Sequence, residues 1–172
     1  MPALNTIAIS RFGCIAGLAM LVAAPAAADD SDFYRKAISG PVEASVVDIY
    51  DGDTMTVEAF IWPMQSVRVA VRLRGVDTPE LRGKCASEKL AAQAARDRLR
   101  ELVGDGPVRL TNIAGGKYYG RVVADITTAQ GTDVGGQMLI EGFADAYDGK
   151  ARRDWCAPDA IGLLQSVIRQ RG

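Results

Sequence analysis

Val67-Arg68-Val69-Ala70-Val71-Arg72-Leu73, continued by Arg74-Gly75-Val76-Asp77-Thr78-Pro79-Glu80, is the stretch from which the fold can be read. In its first half every second residue is apolar. Val67, Val69, Val71 and Leu73 therefore share one face of a strand, and Arg68, Ala70 and Arg72 share the other. Arg72 points away from the apolar face, towards either a solvated surface or a site. Directly after the strand, a proline that fixes the chain direction is flanked by Asp77 and Glu80, a rigid way of holding two carboxylates. Taken alone, this segment has an alternative explanation, with Asp77 or Glu80 capping the helix that follows.

Beyond Pro79 the period changes. Ala91, Ala95, Leu99 and Leu102 recur at helical spacing, Leu90 and Ala94 widen the stripe, and a helix is expected over 87–103, ended by Gly104. Upstream, 44–50 and 54–60 read as strands joined by Asp51-Gly52-Asp53, and Asp-Gly is a strong hairpin signal. Downstream, 108–111 and 119–127 return to strand character, separated by Gly115-Gly116. Short helices are expected over 133–141, ended by Gly142, and over 158–170, where Ile161, Leu164 and Ile168 share a stripe. Together these elements predict an α+β, mainly β chain: a five-stranded, partly open OB-fold barrel with about three packed helices. A generic α+β sheet is the fallback.

The N-terminus has a different character. Arg11, an apolar run from Cys14 to Ala24, and Ala26-Ala27-Ala28 make residues 1–28 a secretory signal peptide cleaved near Ala28. The apolar run, about 11 to 13 residues, falls short of the roughly 18 that span a bilayer, so a permanent anchor is the lesser alternative. The expected protein is exported, periplasmic or secreted, without stable membrane association. Residues 29–42 read as a lead-in and 43–172 as a single domain, since the remaining chain of about 144 residues suits one core. Losing Arg11 takes the formal net charge from −1 to −2, so overall charge gives no support to binding a polyanion.

Signal removal also takes Cys14, leaving Cys85 and Cys156 as an even pair bound for an oxidising compartment. A disulfide is predicted, worth about 4 kcal/mol for a closed loop of about 70 residues. Two buried free thiols are the alternative. The chain contains no histidine, which excludes Ser-His-Asp and Cys-His nucleophilic schemes and argues against a zinc site. Chemistry is left to carboxylates, arginine, tyrosine, lysine and a hard metal ion.

Asp51-Gly52-Asp53-Thr54 alone reads as a turn, and it is out of register for an EF-hand loop. Lys117-Tyr118-Tyr119-Gly120-Arg121 places an arginine on a strand two residues after an aromatic, which fits a surface cross-strand pair or a phosphate clamp. The order and spacing of the segments together say more. Asp-Gly-Asp-Thr, then the run from Val71 to Glu80, then Tyr119-Gly120-Arg121 closely resembles the staphylococcal nuclease (thermonuclease) family, over roughly residues 44–147.

The resemblance implies an OB-fold barrel and calcium-dependent hydrolysis of DNA and/or RNA with low sequence specificity. It makes Asp53 and Asp77 the calcium-binding carboxylates, with the Thr78 carbonyl as a further ligand. Arg72 and Arg121 would contact the scissile phosphate, and Glu80 would orient or deprotonate the attacking water. Lys117, Tyr119 and Tyr147 would meet the nucleotide. Lys117 stands one place earlier than the family's lysine, whose position holds Tyr118, and Tyr147 lies one residue short of the family spacing. Cys156, after Trp155, resembles the ending of exported members. Nucleic acid is the expected partner, with no protein partner and a monomeric chain. The alternatives are a non-catalytic nucleic-acid-binding OB module, and a barrel that binds calcium only for stability.

Overall fold

The Asp51-Gly52-Asp53 signal is the connection between the first two long strands. In chain order the elements are β1 (Ala37–Ile38), β2 (Val42–Ile49), β3 (Thr54–Trp62), β4 (Gln65–Leu73), β5 (Val76–Asp77), α1 (Ala86–Val103), β6 (Val108–Gly115), β7 (Arg121–Thr128), α2 (Val134–Ile140) and β8 (Asp145–Ala146). The computed structural model describes residues 37–118 and 120–157. The expected signal peptide, Tyr119 and the expected helix over 158–170 lie outside them.

β2, β3 and β4 form an antiparallel meander. β6 pairs antiparallel with β2, and β7 pairs antiparallel with β6 and parallel with β4, which closes a five-stranded mixed barrel. This architecture is consistent with the expected OB type, and the described residues include two of the three expected helices. β5 and β8 form a separate ribbon, pairing Val76 with Ala146 and Asp77 with Asp145.

The core is where the alternation placed it. Val71 and Leu73 point into the barrel with Met55, Val57, Leu110 and Ile126, and α1 closes one end with Ala95, Leu99 and Val103. Fully buried leucines such as Leu99 and Leu110 each contribute about 2 kcal/mol through the apolar surface they remove from water.

Several expectations are corrected. Leu90 does not widen the buried stripe of α1; it is 63% exposed. Its Cα direction sits one step outside the Ala91–Ala95–Leu99 line that meets the barrel. Val67 is exposed because the β3–β4 hairpin runs past the barrel wall, carrying Phe60, Ile61, Trp62 and Met64 into solvent. Ala37 and Ile38, inside the expected lead-in, pair with Ala114 and Ile113 of β6, because the chain before β2 already runs along the same strand that β2 pairs with. β6 runs on to Gly115 across a register shift between Thr111 and Ala114, where Asn112 takes a left-handed conformation.

Cys85, not Asp77 or Glu80, is the N-cap of α1. It is also bonded to Cys156, with the two Cα atoms 6.0 Å apart, so the predicted disulfide is present. Among the described residues no helix is long and apolar enough to cross a membrane.

Candidate active site

Arg72 lies on the face of β4 opposite the core, and two turns deliver acids to it. Its Nη1 donates to Asp53 Oδ1 at 2.7 Å, and its Nη2 to Asp77 Oδ1 at 3.2 Å and to the Val76 carbonyl at 3.4 Å. Asp53 ends the β2–β3 turn and Asp77 lies on β5, so residues from three places in the sequence converge on one guanidinium. Charge-assisted bonds from one planar guanidinium to two separate carboxylates fix geometry as well as charge.

The turn that carries Asp53 is built into the protein. Asp53 N–H donates to Asp51 Oδ1 at 3.2 Å, Thr54 Oγ1 donates to Asp53 Oδ1 at 2.8 Å, and Thr78 N–H donates to Asp53 Oδ2 at 3.4 Å. A Cβ on Gly52 would lie 2.7 Å from the Ala95 Cβ and 3.0 Å from the Thr78 Cβ. Glycine is needed there because the turn packs directly against α1 and the β5 loop. The hairpin signal was right about the turn; its burial was not legible.

Asp53 and Asp77 are each only 2% exposed, and Asp51 is buried beside them. Burial, followed by the negative charge of Asp51, pushes the Asp53 carboxyl up from 3.8 to about 6, against the opposing pull of Arg72 and the Thr54 hydroxyl. Two buried carboxylates beside the Thr78 carbonyl form an all-oxygen donor set, which suits a hard divalent ion and not a soft one.

Glu80 and Arg152 complete the cluster. Arg152 Nη1 donates to Glu80 Oε1 at 2.7 Å, its Nη2 to the Thr78 carbonyl at 3.0 Å, and its Nε to Asp77 Oδ2 at 3.0 Å. Nothing in the periodicity or motifs singles out Arg152. The only sequence signal is indirect: pairing Cys156 with Cys85 brings residues near 152 close to the loop that follows Glu80. Glu88 was also missed. Buried in the first turn of α1, it accepts from Lys84 N–H at 2.8 Å and from Glu80 N–H at 3.5 Å, and so holds the 80–84 loop to the helix.

Arg121 starts β7 in register with Ala70 of β4, and Val123 in register with Arg72. Arg121 and Arg72 therefore lie on the same face of neighbouring strands. The Arg121 guanidinium stacks over the Tyr118 ring, 5.0 Å from its centroid, and its buried Nε has no hydrogen-bond partner among the described residues. Tyr118, not among the expected site residues, is thus the aromatic partner of Arg121. Lys117 is exposed, its Nζ 5.8 Å from the same ring. Tyr147 is fastened beside the acidic loop by its N–H, which donates to the Gly75 carbonyl at 2.9 Å. Tyr119 lies outside the described residues.

The sequence profile of the family described as staphylococcal nuclease homologue matches residues 70–165. The chain belongs to the staphylococcal nuclease family. Comparison with curated proteins returns no match. The staphylococcal nuclease match spans Arg72, Asp77, Thr78, Glu80, Arg121 and both bridged cysteines. Asp53 precedes it and joins the cluster through Arg72 and Thr78. Membership of the staphylococcal nuclease family points to nuclease-like hydrolysis, with nucleic acid as substrate.

Proposed function

We propose that the chain is a calcium-dependent phosphodiesterase that hydrolyses DNA and/or RNA with low sequence preference. We further propose that it is exported as a monomer after cleavage near Ala28, with residues 43–172 as its nuclease domain. The observation that carries the reading is that Asp53 and Asp77 both accept from Arg72, with Glu80 and the Thr78 carbonyl joined to Asp77 through Arg152, in a member of this family. The Cys85–Cys156 disulfide supports an oxidising, extracytoplasmic location.

Asp53, Asp77 and the Thr78 carbonyl would hold the calcium ion, whose positive charge would stabilise the anionic phosphate in the transition state. Arg72 keeps N–H groups to spare beyond its bonds to Asp53, Asp77 and Val76, and these can reach a phosphate oxygen. Arg121 brings a second guanidinium to the same face of the neighbouring strand. Two planar forks of this kind match the charge that spreads over the equatorial oxygens as the ester breaks. Glu80 is the acid nearest to solvent in the cluster and the one placed to orient a water. Lys117, Tyr119 and Tyr147 would meet the nucleotide.

The test is cleavage of single-stranded DNA and RNA by the mature protein with calcium, with and without chelator, beside Arg72→Lys. Lysine keeps the charge and loses the fork, so the rate is expected to fall about 10³-fold or more. Intact nucleic acid after incubation with the unaltered protein at every metal tried would end this reading. An Arg72→Lys rate within a few-fold of the unaltered protein would remove Arg72 from the phosphate contacts.

A further inference from the structure

The proposed hydrolysis uses Arg72 and Arg121 and leaves Arg152 without a task. Yet Arg152 touches as much of the acidic cluster as Arg72 does. Its Nε lies 2.9 Å from Asp77 Oδ1, its Nη1 2.7 Å from Glu80 Oε1, and its Nη2 3.0 Å from the Thr78 carbonyl oxygen. Asp77 and the Thr78 carbonyl are also two of the donors assigned to calcium.

The guanidinium and a divalent ion make the same demand on these oxygens. Both draw on the Asp77 carboxylate and the Thr78 carbonyl, and two cations sharing one carboxylate a few ångströms apart repel each other. Filling the site with one therefore weakens the other.

Arg152 is held in place by the residues that follow it. Arg153 Nη1 donates to both Asp145 oxygens at 3.2 Å. Trp155 is 3% exposed and packs on Ala91 of α1. Cys156 is covalently tied to Cys85 at the start of the same helix. An arginine at the end of a loose tail would lose chain and rotamer entropy on reaching Asp77; one anchored this closely arrives with much of that loss already met.

We propose that Arg152 is a built-in competitor of the divalent cation, kept at Asp77, Thr78 and Glu80 by the disulfide-anchored segment, and that it sets the calcium affinity of the site. The inference rests on the calcium reading of that site. If Arg152 is engaged in about nine molecules in ten, the apparent calcium affinity is lowered about tenfold relative to a site without it.

The experiment is calcium titration of the purified protein by calorimetry, together with the rise in melting temperature that calcium produces, for the unaltered chain, Arg152→Met, Arg152→Lys and Lys150→Met. Methionine keeps the apolar stem and removes the charge and the fork, so Arg152→Met is expected to bind calcium about tenfold more tightly. Lysine, a point charge, is expected to fall between the two. Lys150→Met removes the same charge from an exposed residue that pairs with Asp148, and is expected to stay within about twofold of the unaltered chain.

A residue that merely braced Asp77 and Glu80 would give the opposite sign, so equal or weaker binding by Arg152→Met overturns the competitor role and leaves the calcium site standing. A matching gain in Lys150→Met would make the effect one of general charge and overturn it as well. If Arg152→Met does not fold, the sign is read from Arg152→Lys against the unaltered chain. Calcium binding by none of the four proteins would sink the calcium reading and this inference together.

Discussion

Replacing Asp53 by asparagine should make the calcium-free protein more stable at neutral pH while abolishing its activity. The reason lies in the burial of that carboxyl, which raises its pKa from 3.8 to about 6, with Asp51 adding to the effect. The folded chain therefore holds the Asp53 proton more tightly than the unfolded chain does. Between about pH 4 and pH 6 the folded state binds more protons, so stability falls as pH rises through that window, and the full penalty is present above it. A difference of about two pK units corresponds to about 3 kcal/mol.

Asparagine has no charge to bury, and its Oδ1 can still accept from Arg72 and Thr54. Its amide nitrogen, however, would face the Thr78 N–H that now donates to Asp53 Oδ2, and two opposed donors take back about 1 kcal/mol. Asp53→Asn in chelator at pH 7.5 is expected to gain about 1 to 3 kcal/mol, or roughly 3 to 8 °C in melting temperature. The gain should shrink to nothing near pH 4. Melts of both proteins by circular dichroism, from pH 4 to 8, supply the difference curve, which cancels the other carboxylates. A curve flat with pH, or a variant that melts lower than the unaltered chain at pH 7.5, refutes the reasoning, and retained nuclease activity would remove Asp53 from the catalytic set.

Two further changes act through packing and chain entropy. Cys85→Ser with Cys156→Ser opens a link across a sequence separation of 71 residues and should cost about 4 kcal/mol, lowering the melting temperature by roughly 10 °C. Two titratable thiols in unreduced protein, with an unchanged melt, would contradict it. Gly52→Ala drives a methyl to within 2.7 Å of the Ala95 Cβ and should cost about 1 to 3 kcal/mol. Because Asp53 rides on that turn, calorimetry should also record weaker calcium binding; an unaltered affinity would mean that the turn moves without taking Asp53 with it.

The periodic elements were legible because periodicity reports on a face. Val71 and Leu73 pointed inward and Arg72 outward, Ala91, Ala95 and Leu99 marked the helix, and both proved right. What the pattern could not tell was how far the barrel extends along each strand. Val67 continues the alternation of β4 and Leu90 adjoins the stripe of α1, yet both side chains stay exposed.

At the candidate site, Asp53, Arg72, Asp77, Glu80 and Arg121 can be singled out in the sequence because three short segments with fixed spacing carry them. Arg152 and Glu88 belong to no such segment. Arg152 sits among polar residues near the end of the described chain, and its contacts exist only because the Cys85–Cys156 link and the burial of Trp155 bring that segment back. Glu88 resembles any acid in a first helical turn until the 80–84 loop folds over it.

The parallel pairing of β4 with β7 also dictates an order of assembly. The β2–β3–β4 meander can form from neighbouring residues, but β4 keeps one edge of unpaired N–H and C=O groups until Arg121–Ala124 arrives, after the whole of α1 and β6. Contacts this distant in sequence close late, and an open strand edge is where chains pair wrongly with one another. Arg72 lies on that waiting strand and Arg152 comes later still, so the cluster can assemble only once the segment that carries Arg152 has joined the barrel. A partly folded chain would be exposed to aggregation before it had acquired any capacity to cut.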